Sequence, residues 1–435
     1  MGVRVGIGLF TAQLPASSKR SFEQEYRETL ELVRLAERVG FDSAWVSEHH
    51  GSSDGYLPSL LPMLAAFAAV TERIELGTGV VLTPLHDPLR LAEDAAVVDQ
   101  LSGGRLLLGI GNGWREEEFR MFDASRAERV GFDSAWVSEH HGSSDGYLPS
   151  LLAMLSAFAA VTERIELGTG VVLTPLHDPL RLAEDAAVVD QLSGGRLMLG
   201  IGNGWREEEF RMFGASRAER GARTEETIEV LRRAWTGRRF SFEGRTLRYD
   251  RVRVTPQPAR PGGPPILLGG YDRKAVIRAG RLADGYITDE TGPDEVRGNL
   301  ELVADGARGA GRDPDTMMVV LLQNAFAWRD GDPWPLIRDG VVQQLGAYEA
   351  WGEGADTPEH DRLEPAMPSE EDLRLSTPAG PPDEVARTLL ATIRAAGDRD
   401  VHLVVRLHYP GMDLETASRA TELFAAEVIP ALKSG

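Results

Sequence analysis

Along the chain, apolar positions switch between two spacings. Short runs rich in Val, Ile, Leu and Trp alternate with longer stretches whose apolar residues recur every three to four positions. The runs predict strands at Val3–Phe10, Phe41–Ser47, Arg73–Thr78 and Arg105–Ile110, then at Pro264–Gly269, Asp284–Thr288, Met317–Trp328 and Val401–Leu407. The stretches predict helices at Glu23–Arg38, within Leu57–Val70, and at Leu89–Leu101, Thr224–Trp235, Val276–Leu282, Glu295–Arg308, Glu384–Ala396 and Leu414–Leu432. A strand followed each time by a helix calls for a parallel sheet covered by helices. Eight such units favour a closed (β/α)8 TIM barrel. An open doubly wound sheet is the alternative, but no GxGxxG turn follows the first strand. Asp330–Pro382 breaks the rhythm, with Pro, Gly and acidic residues around one short helix near Leu336–Leu345. In a barrel it reads as a long loop on the active face, either a substrate lid or a surface excursion.

The pattern also repeats itself. Residues 36–126 recur as residues 127–217, a shift of 91, with four differences: Pro62 against Ala153, Ala65 against Ser156, Leu107 against Met198 and Asp123 against Gly214. Ala-Glu-Arg stands at both ends of the repeat and at its junction, as unequal crossover would leave it. The period is too long for the usual solenoid units. Less one copy, the 435-residue chain is 344 residues long, the size of one barrel. The expectation is therefore a single TIM-barrel domain over residues 1–435 with a duplicated β2–β4 segment. One copy fills the barrel and the other is extruded from it or appended to it. The second copy is the one expected inside, since it runs unbroken from its first strand through Arg217 into the helix at Thr224–Trp235. An extruded copy would expose core-facing strands, which implies a homo-oligomer.

Composition narrows the function classes. There is no cysteine, which removes disulfides, thiolate metal sites and thiol nucleophiles together. With 67 acidic against 47 basic side chains the formal net charge is −20, the wrong sign for a nucleic-acid binder. No apolar run reaches the roughly 18 residues of a membrane span. The N-terminal segment alternates like a strand and has no signal-peptide core, so a cytoplasmic location is expected.

In a barrel, chemistry belongs at the C-terminal ends of the strands. The second strand ends in Ser-Glu-His-His, at Ser47–His50 and again at Ser138–His141. One imidazole turned into the barrel mouth is an acid or base near neutral pH. A hydrogen-bonded packing histidine is the competing reading. A metal site is disfavoured, because adjacent strand residues face opposite ways. The third strand runs into Gly77-Thr78-Gly79-Val80 and the fourth into Gly109–Trp114, copied at Gly200–Trp205; such glycines allow a flat ligand close to the backbone or merely a tight corner. Gly269-Gly270-Tyr271-Asp272-Arg273 opens a helix, a ready phosphate site with Arg273 as counter-charge. Arg217 is a second candidate for that anion, or a solvated helix-end arginine.

The strings SEHHGSSDGYLPS and RIELGTGVVLTPLHDPLRLAEDAAVVDQLSGGRLMLGIGNGWREEEFRMFGASRAER, with PPILLGGYDRKAVIRAGRLADGYI and the ending RLHYPGMDLETASRATELFAAEVIPAL, resemble the bacterial luciferase-like flavin monooxygenases. The resemblance covers essentially the whole single-copy length. It implies a (β/α)8 barrel binding reduced FMN as a dissociable co-substrate, or a deazaflavin coenzyme in a sister branch. It places the catalytic histidine at His140 or its copy His49. It implies a non-proline cis peptide against the flavin ring at Gly170-Val171 or Gly79-Val80. Flavin contacts fall at Asn203, Trp205 and Arg217, and the phosphate loop at Gly269, Gly270, Tyr271 and Arg273. The luciferases' reactive cysteine position is Gly202 here, and a phosphate-facing arginine is Asn203, so light emission is not implied. The function expected is a monooxygenase that uses reduced FMN and dioxygen to oxygenate a small organic substrate, with a separate flavin reductase as partner. A deazaflavin-dependent hydride-transfer enzyme and a flavin-binding protein inactivated by its duplication are the alternatives.

Overall fold

A computed structural model of the chain describes residues 4–14, 18–47, 57, 59–78, 88–108, 127–128, 130–143, 147–289, 292–352 and 369–434. His49, Gly79, Val80, Asn112 and Trp114 lie outside the described residues. The fold is α/β. Its strands Ser134–Val137, Glu166–Thr169, Leu197–Gly202, Ile266–Gly269, Gly285–Thr288, Met318–Asn324 and Val401–Arg406 follow one another in one sheet, in the sequential order of a TIM-type barrel. Backbone contacts divide the chain into two compact units, Met1–Ser125 with Asp133–Gly204 and Glu209–Ile266, and Arg126–Phe132 with Trp205–Glu208 and Leu267–Gly435.

The first unit holds most of both copies of the repeat. Strand β1 (Gly6–Phe10) leads to helix α1 (Phe22–Val39), which starts in a capping box: Ser21 and Gln24 bond reciprocally to each other's backbone. The first copy then contributes β2 (Ser43–Val46), α2 (Leu60–Val70), β3 (Glu75–Thr78), α3 (Pro88–Ser102) and β4 (Leu106–Leu107). The second copy contributes β5 (Ser134–Val137), α4 (Leu151–Val161), β6 (Glu166–Thr169), β7 (Val172–Leu173), α5 (Pro179–Ser193) and β8 (Leu197–Gly202). Strands β1 to β4 make a parallel four-stranded sheet of their own, with Gly6 opposite Ser43 and Ile7 opposite Ala44.

The eighth barrel strand expected from the sequence is thus β1, and it pairs with the first copy instead. The strand ends it chooses between, Ser-Ala-Trp-Val at β2 and at β5, are identical. Only the loop differs. Closing the short connection through α1 rather than one several times longer saves on the order of 1 kcal/mol of chain entropy, and sequential strands usually neighbour each other.

Within each copy the same packing recurs. The indole of Trp136 lies over Gly168 on the neighbouring strand, and its Nε1 donates to Ser134 Oγ at 2.8 Å. Trp45 treats Gly77 and Ser43 the same way. A Cβ on Gly168 would stand 2.3 Å from the indole, so the glycine in Glu-Leu-Gly-Thr makes room for the ring. Helix α6 (Glu207–Met212), helix α7 (Arg220–Ala234) and the hairpin β9–β10 (Phe240–Glu243, Arg248–Val252) follow. The hairpin was not foreseen, although Phe-Ser-Phe-Glu-Gly-Arg alternates and turns on glycine.

The second unit is a run of β/α pairs. Strands β11 (Ile266–Gly269), β12 (Gly285–Thr288), β13 (Met318–Asn324) and β16 (Val401–Arg406) are parallel. The short β14 (Phe326–Ala327) and β15 (Ala379–Gly380) pair with each other. Helices α8 (Arg273–Leu282), α9 (Pro293–Gly309), α10 (Trp334–Gly352), α11 (Glu370–Ser376), α12 (Pro382–Ala395), α13 (Leu414–Leu423) and α14 (Ile429–Ser434) complete it. Helix α10 is longer than the short one expected near Leu336–Leu345, and it buries Trp334, Ile337 and Val341. Among the described residues no helix is long and apolar enough to cross a membrane.

Gly168→Ala is expected to destabilise the fold by about 1–3 kcal/mol, because the added methyl must displace the Trp136 ring or the strand beneath it. A lowered urea midpoint at unchanged slope checks this.

Candidate active site

The chain leaves β5 at Val137 and delivers Ser138, Glu139, His140 and His141 in sequence, the last three buried. The two histidines are held in different ways. His140 Nδ1 donates to Glu209 Oε1 at 2.9 Å. A carboxylate accepts only, so the proton sits on Nδ1 and Nε2 is the ring atom that can trade one. The ring stands edge-on to Tyr147, with centroids 4.8 Å apart, and the Tyr147 hydroxyl meets Ser138 Oγ at 2.7 Å. Glu209 comes from α6, and the same oxygen accepts the backbone N–H of His141 at 3.0 Å.

His141 is bonded to carboxylates at both ring nitrogens, Nδ1 to Glu93 Oε2 and Nε2 to Glu139 Oε1, each at 2.9 Å. Burial works against its charge, but Glu139 and Glu93 outweigh burial and raise its pKa to about 9. His141 is therefore a fixed cation at neutral pH, and His140 is the ring suited to proton exchange.

Glu139 is the centre of the cluster, 2% exposed. Oε1 also accepts from Arg90 Nη1 at 2.9 Å and lies 3.0 Å from His177 Nε2; Oε2 accepts from the backbone N–H of Leu173 at 2.7 Å. Burial alone would push this carboxyl up. The ring of His177 and the cations Arg90 and His141 outweigh that and hold it well below the usual carboxylate range. His177 is pushed down by burial and by Arg90, whose Nη2 lies 2.9 Å from His177 Nε2. The Arg90 guanidinium also lies over the Phe213 ring, 5.1 Å from its centroid. Among the described residues no three His, Asp or Glu groups are arranged to hold a metal ion.

Beside this cluster, β6 runs into Gly170-Val171, and that peptide bond is cis. The Val171 side chain faces the end of β8, where a Cβ on Gly202 would come within 2.7 Å of Val171 Cγ2. Thr174 Oγ1 donates to Gly202 O at 3.1 Å, holding the two strand ends together. Next to Gly202, the buried Oδ1 of Asn203 has no hydrogen-bond partner among the described residues. Arg217 is half-buried in the turn before α7. Gly170, Val171, Asn203 and Arg217 thus share the first unit with His140.

Trp205, Gly269, Gly270, Tyr271 and Arg273 belong to the second unit. There Asp272 caps α8, accepting from the backbone N–H groups of Lys274 and Ala275. Two donors that a phosphate would use are already taken by a carboxylate. A Cβ on Gly270 would stand 2.5 Å from Ala275 Cβ, Tyr286 donates to Gly270 O at 3.0 Å, and Tyr271 donates to Asp289 Oδ2 at 3.1 Å. Sequence reasoning missed Glu139, Glu209, His177 and Arg90. The run Trp-Arg-Glu-Glu-Glu-Phe just after the glycine-rich end of β8 was the available signal for Glu209.

The profile of the luciferase-like monooxygenase family matches residues 3–126 and again residues 123–400. The chain belongs to that family. It is 31% identical over 327 residues to the F420-dependent glucose-6-phosphate dehydrogenase of Nakamurella multipartita, covering 72% of this chain and 91% of that protein. In structure it resembles the coenzyme F420-dependent tetrahydromethanopterin reductase of Methanopyrus kandleri, with a TM-score of 0.55, 22% identity, and 71% and 93% of the two chains covered. It also resembles the oxygenating constituent of 3,6-diketocamphane monooxygenase of Pseudomonas putida, solved with FMN, with a TM-score of 0.56, 21% identity, and 71% and 91% covered. These two structures share its fold. The chain is an oxidoreductase of the luciferase-like kind.

The raised pKa of His141 makes its protonated ring a stabilising group. Because the folded value, about 9, lies above the ordinary 6.5, that contribution is full below about pH 6.5 and is lost as pH rises through 9. Urea midpoints measured from pH 7 to pH 9.5 should fall, and His141→Gln should flatten that fall.

Proposed function

We propose that this chain is a deazaflavin-dependent oxidoreductase that moves a hydride between the coenzyme and the carbinol or carbonyl carbon of a small organic substrate. The observation that carries the reading is the buried His140–Glu209 pair, 2.9 Å apart, at the end of a barrel strand. Support comes also from relatives about 30% identical across most of their length whose names state F420 dependence. The local geometry fits a flat ring. The glycine at 202 keeps the surface beside Val171 low, and the buried Asn203 Oδ1 is an acceptor suited to a ring N–H. Gly170, Val171 and Asn203 would lie along the ring, with Arg217 as an anion contact. When bound, the coenzyme supplies a two-electron hydride acceptor or donor.

The chain's own residues handle the proton. In the oxidative direction His140 Nε2 takes the hydroxyl proton as the carbinol C–H bond gives up its hydride, and in the reductive direction it returns that proton to the new alkoxide. Glu209 fixes the tautomer and stabilises the imidazolium. His141, already protonated and tied to two carboxylates, holds the backbone of the strand end rather than exchanging protons.

A second reading is oxygenation of a small organic substrate with reduced FMN from a separate flavin reductase. The Ser-Glu-His-His motif, which matches the catalytic histidine of the luciferases, favours it. One pair of assays separates the readings: anaerobic turnover of the deazaflavin, followed by its visible absorbance over a panel of sugar phosphates and secondary alcohols, against oxygen uptake with reduced FMN. The expected result is deazaflavin turnover. Oxygen uptake coupled to product, with none anaerobically, would overturn it. His140→Gln is expected to lower kcat by about 10²–10⁴-fold with coenzyme affinity nearly unchanged; a large loss of affinity in that variant would remove His140 from its role.

A further inference from the structure

The two copies of the repeat meet through one surface used twice. Helices α2 and α4, identical but for Pro62 against Ala153 and Ala65 against Ser156, pack against each other. Around them the contacts are reciprocal: α3 of the first copy meets α4 of the second, and α2 of the first meets α5 of the second. Ser59 of the first copy donates to Asp185 of the second, and Ser150 of the second, its counterpart, bonds Asp94, the counterpart of Asp185. Nearly identical faces in reciprocal contact are the mark of a two-fold interface, here built within one chain.

Across that interface Arg90 of α3 enters the second copy's cluster. Its Nη1 donates to Glu139 Oε1 at 2.9 Å and to Pro149 O at 2.7 Å, and its Nη2 lies 2.9 Å from His177 Nε2. Through Glu139 it bears on two elements of the site at once. Oε1 holds His141, the neighbour of His140, and Oε2 holds the N–H of Leu173, two residues beyond the cis peptide. Arg181, the same residue in the second copy, lies 3.8 Å from Glu184 and from Asp185 of its own helix.

We infer that the first copy serves as a built-in partner for the second, with Arg90 the positioning residue that completes the His140 site in trans between copies. This role in turnover rests on the hydride-transfer reading above. Arg90 touches neither substrate nor coenzyme in this scheme; it fixes Glu139, and Glu139 fixes the strand end and the loop beside the ring. The duplicated segment is then part of the enzyme rather than a passenger.

The test uses the full-length chain with Arg90→Met, Arg90→Lys and Arg181→Met. Each is read in three ways: kcat against pH, coenzyme affinity, and the histidine ring resonances through a pH titration. The groups facing His177 and His141 include Arg90, Glu139 and Glu93, with Glu209 at the His141 backbone, Arg223 donating to His177 O at 3.1 Å, and the Phe213 ring alongside. Arg90→Met should lower kcat by about 10- to 100-fold, the size expected from misplacing a reacting group, with coenzyme affinity nearly unchanged. It should also move the His177 titration upward, since the cation that suppresses its protonation is gone. Arg90→Lys should restore most of both, and Arg181→Met should change neither. An unchanged kcat and His177 titration in Arg90→Met, or an equal loss in Arg181→Met, would overturn the inference.

Removing one partner of a buried pair leaves a charge uncompensated, so Arg90→Met/Glu139→Gln, which removes both charges, covers the case in which the single variant fails to fold. It should fold and remain slow; a wild-type rate would overturn the inference. If the unaltered chain turns over neither coenzyme, the hydride-transfer reading falls. The titration then decides the Arg90 coupling alone: an upward move of His177 supports it and an unmoved His177 ends it.

Discussion

A carboxylate with almost no contact with water, Glu139, is the constraint around which the first unit is organised. Burying such a charge alone is prohibitive, so its two oxygens must be saturated. Arg90, His141, His177 and the Leu173 N–H do this from three different segments of the chain. Satisfying one side chain therefore fixes the end of β5, the loop after the cis peptide, and the placement of α3. His140 gains its orientation as a by-product. Its neighbours on both sides are pinned, and its Nδ1 proton is held by a second buried carboxylate, Glu209.

The same cluster explains why two adjacent histidines have separate duties. His141 lies between two carboxylates and keeps its proton well past neutrality. His140 is bonded through Nδ1 to the Glu209 carboxylate. A strand end that offered both rings to the substrate would have two competing acids; here the surrounding charges remove one of them from the chemistry.

Much of this architecture was legible in the sequence, and the failures have physical causes. The alternation of apolar runs and amphipathic stretches located the barrel strands and their helices, because burial on both faces and burial on one face leave different periods. Ser-Glu-His-His at a strand end pointed to His140 or its copy His49, and the family resemblance implied a cis bond at Gly170-Val171 or Gly79-Val80; Gly170-Val171 is cis. Glu139 passed unnoticed beside the histidines because its role depends on partners far away in sequence. Arg90 could not have been found at all. Arg90 and Arg181 sit in identical surroundings along the chain, so nothing local states which one crosses to Glu139. The partner of β1 was hidden for the same reason: two identical strands compete for it, and loop length decides.

The reciprocal face between α2 and α4 has a consequence for how such a chain can change. In a dimer of identical subunits, a substitution at a two-fold interface enters twice, and any clash or gain is doubled with no choice in the matter. Here the two sides are written separately. Pro62 faces a world in which its counterpart is Ala153, and Ala65 one in which its counterpart is Ser156, whose hydroxyl bonds back to Leu152 O within its own helix. Symmetry that association would enforce has become optional, and each half is at liberty to specialise.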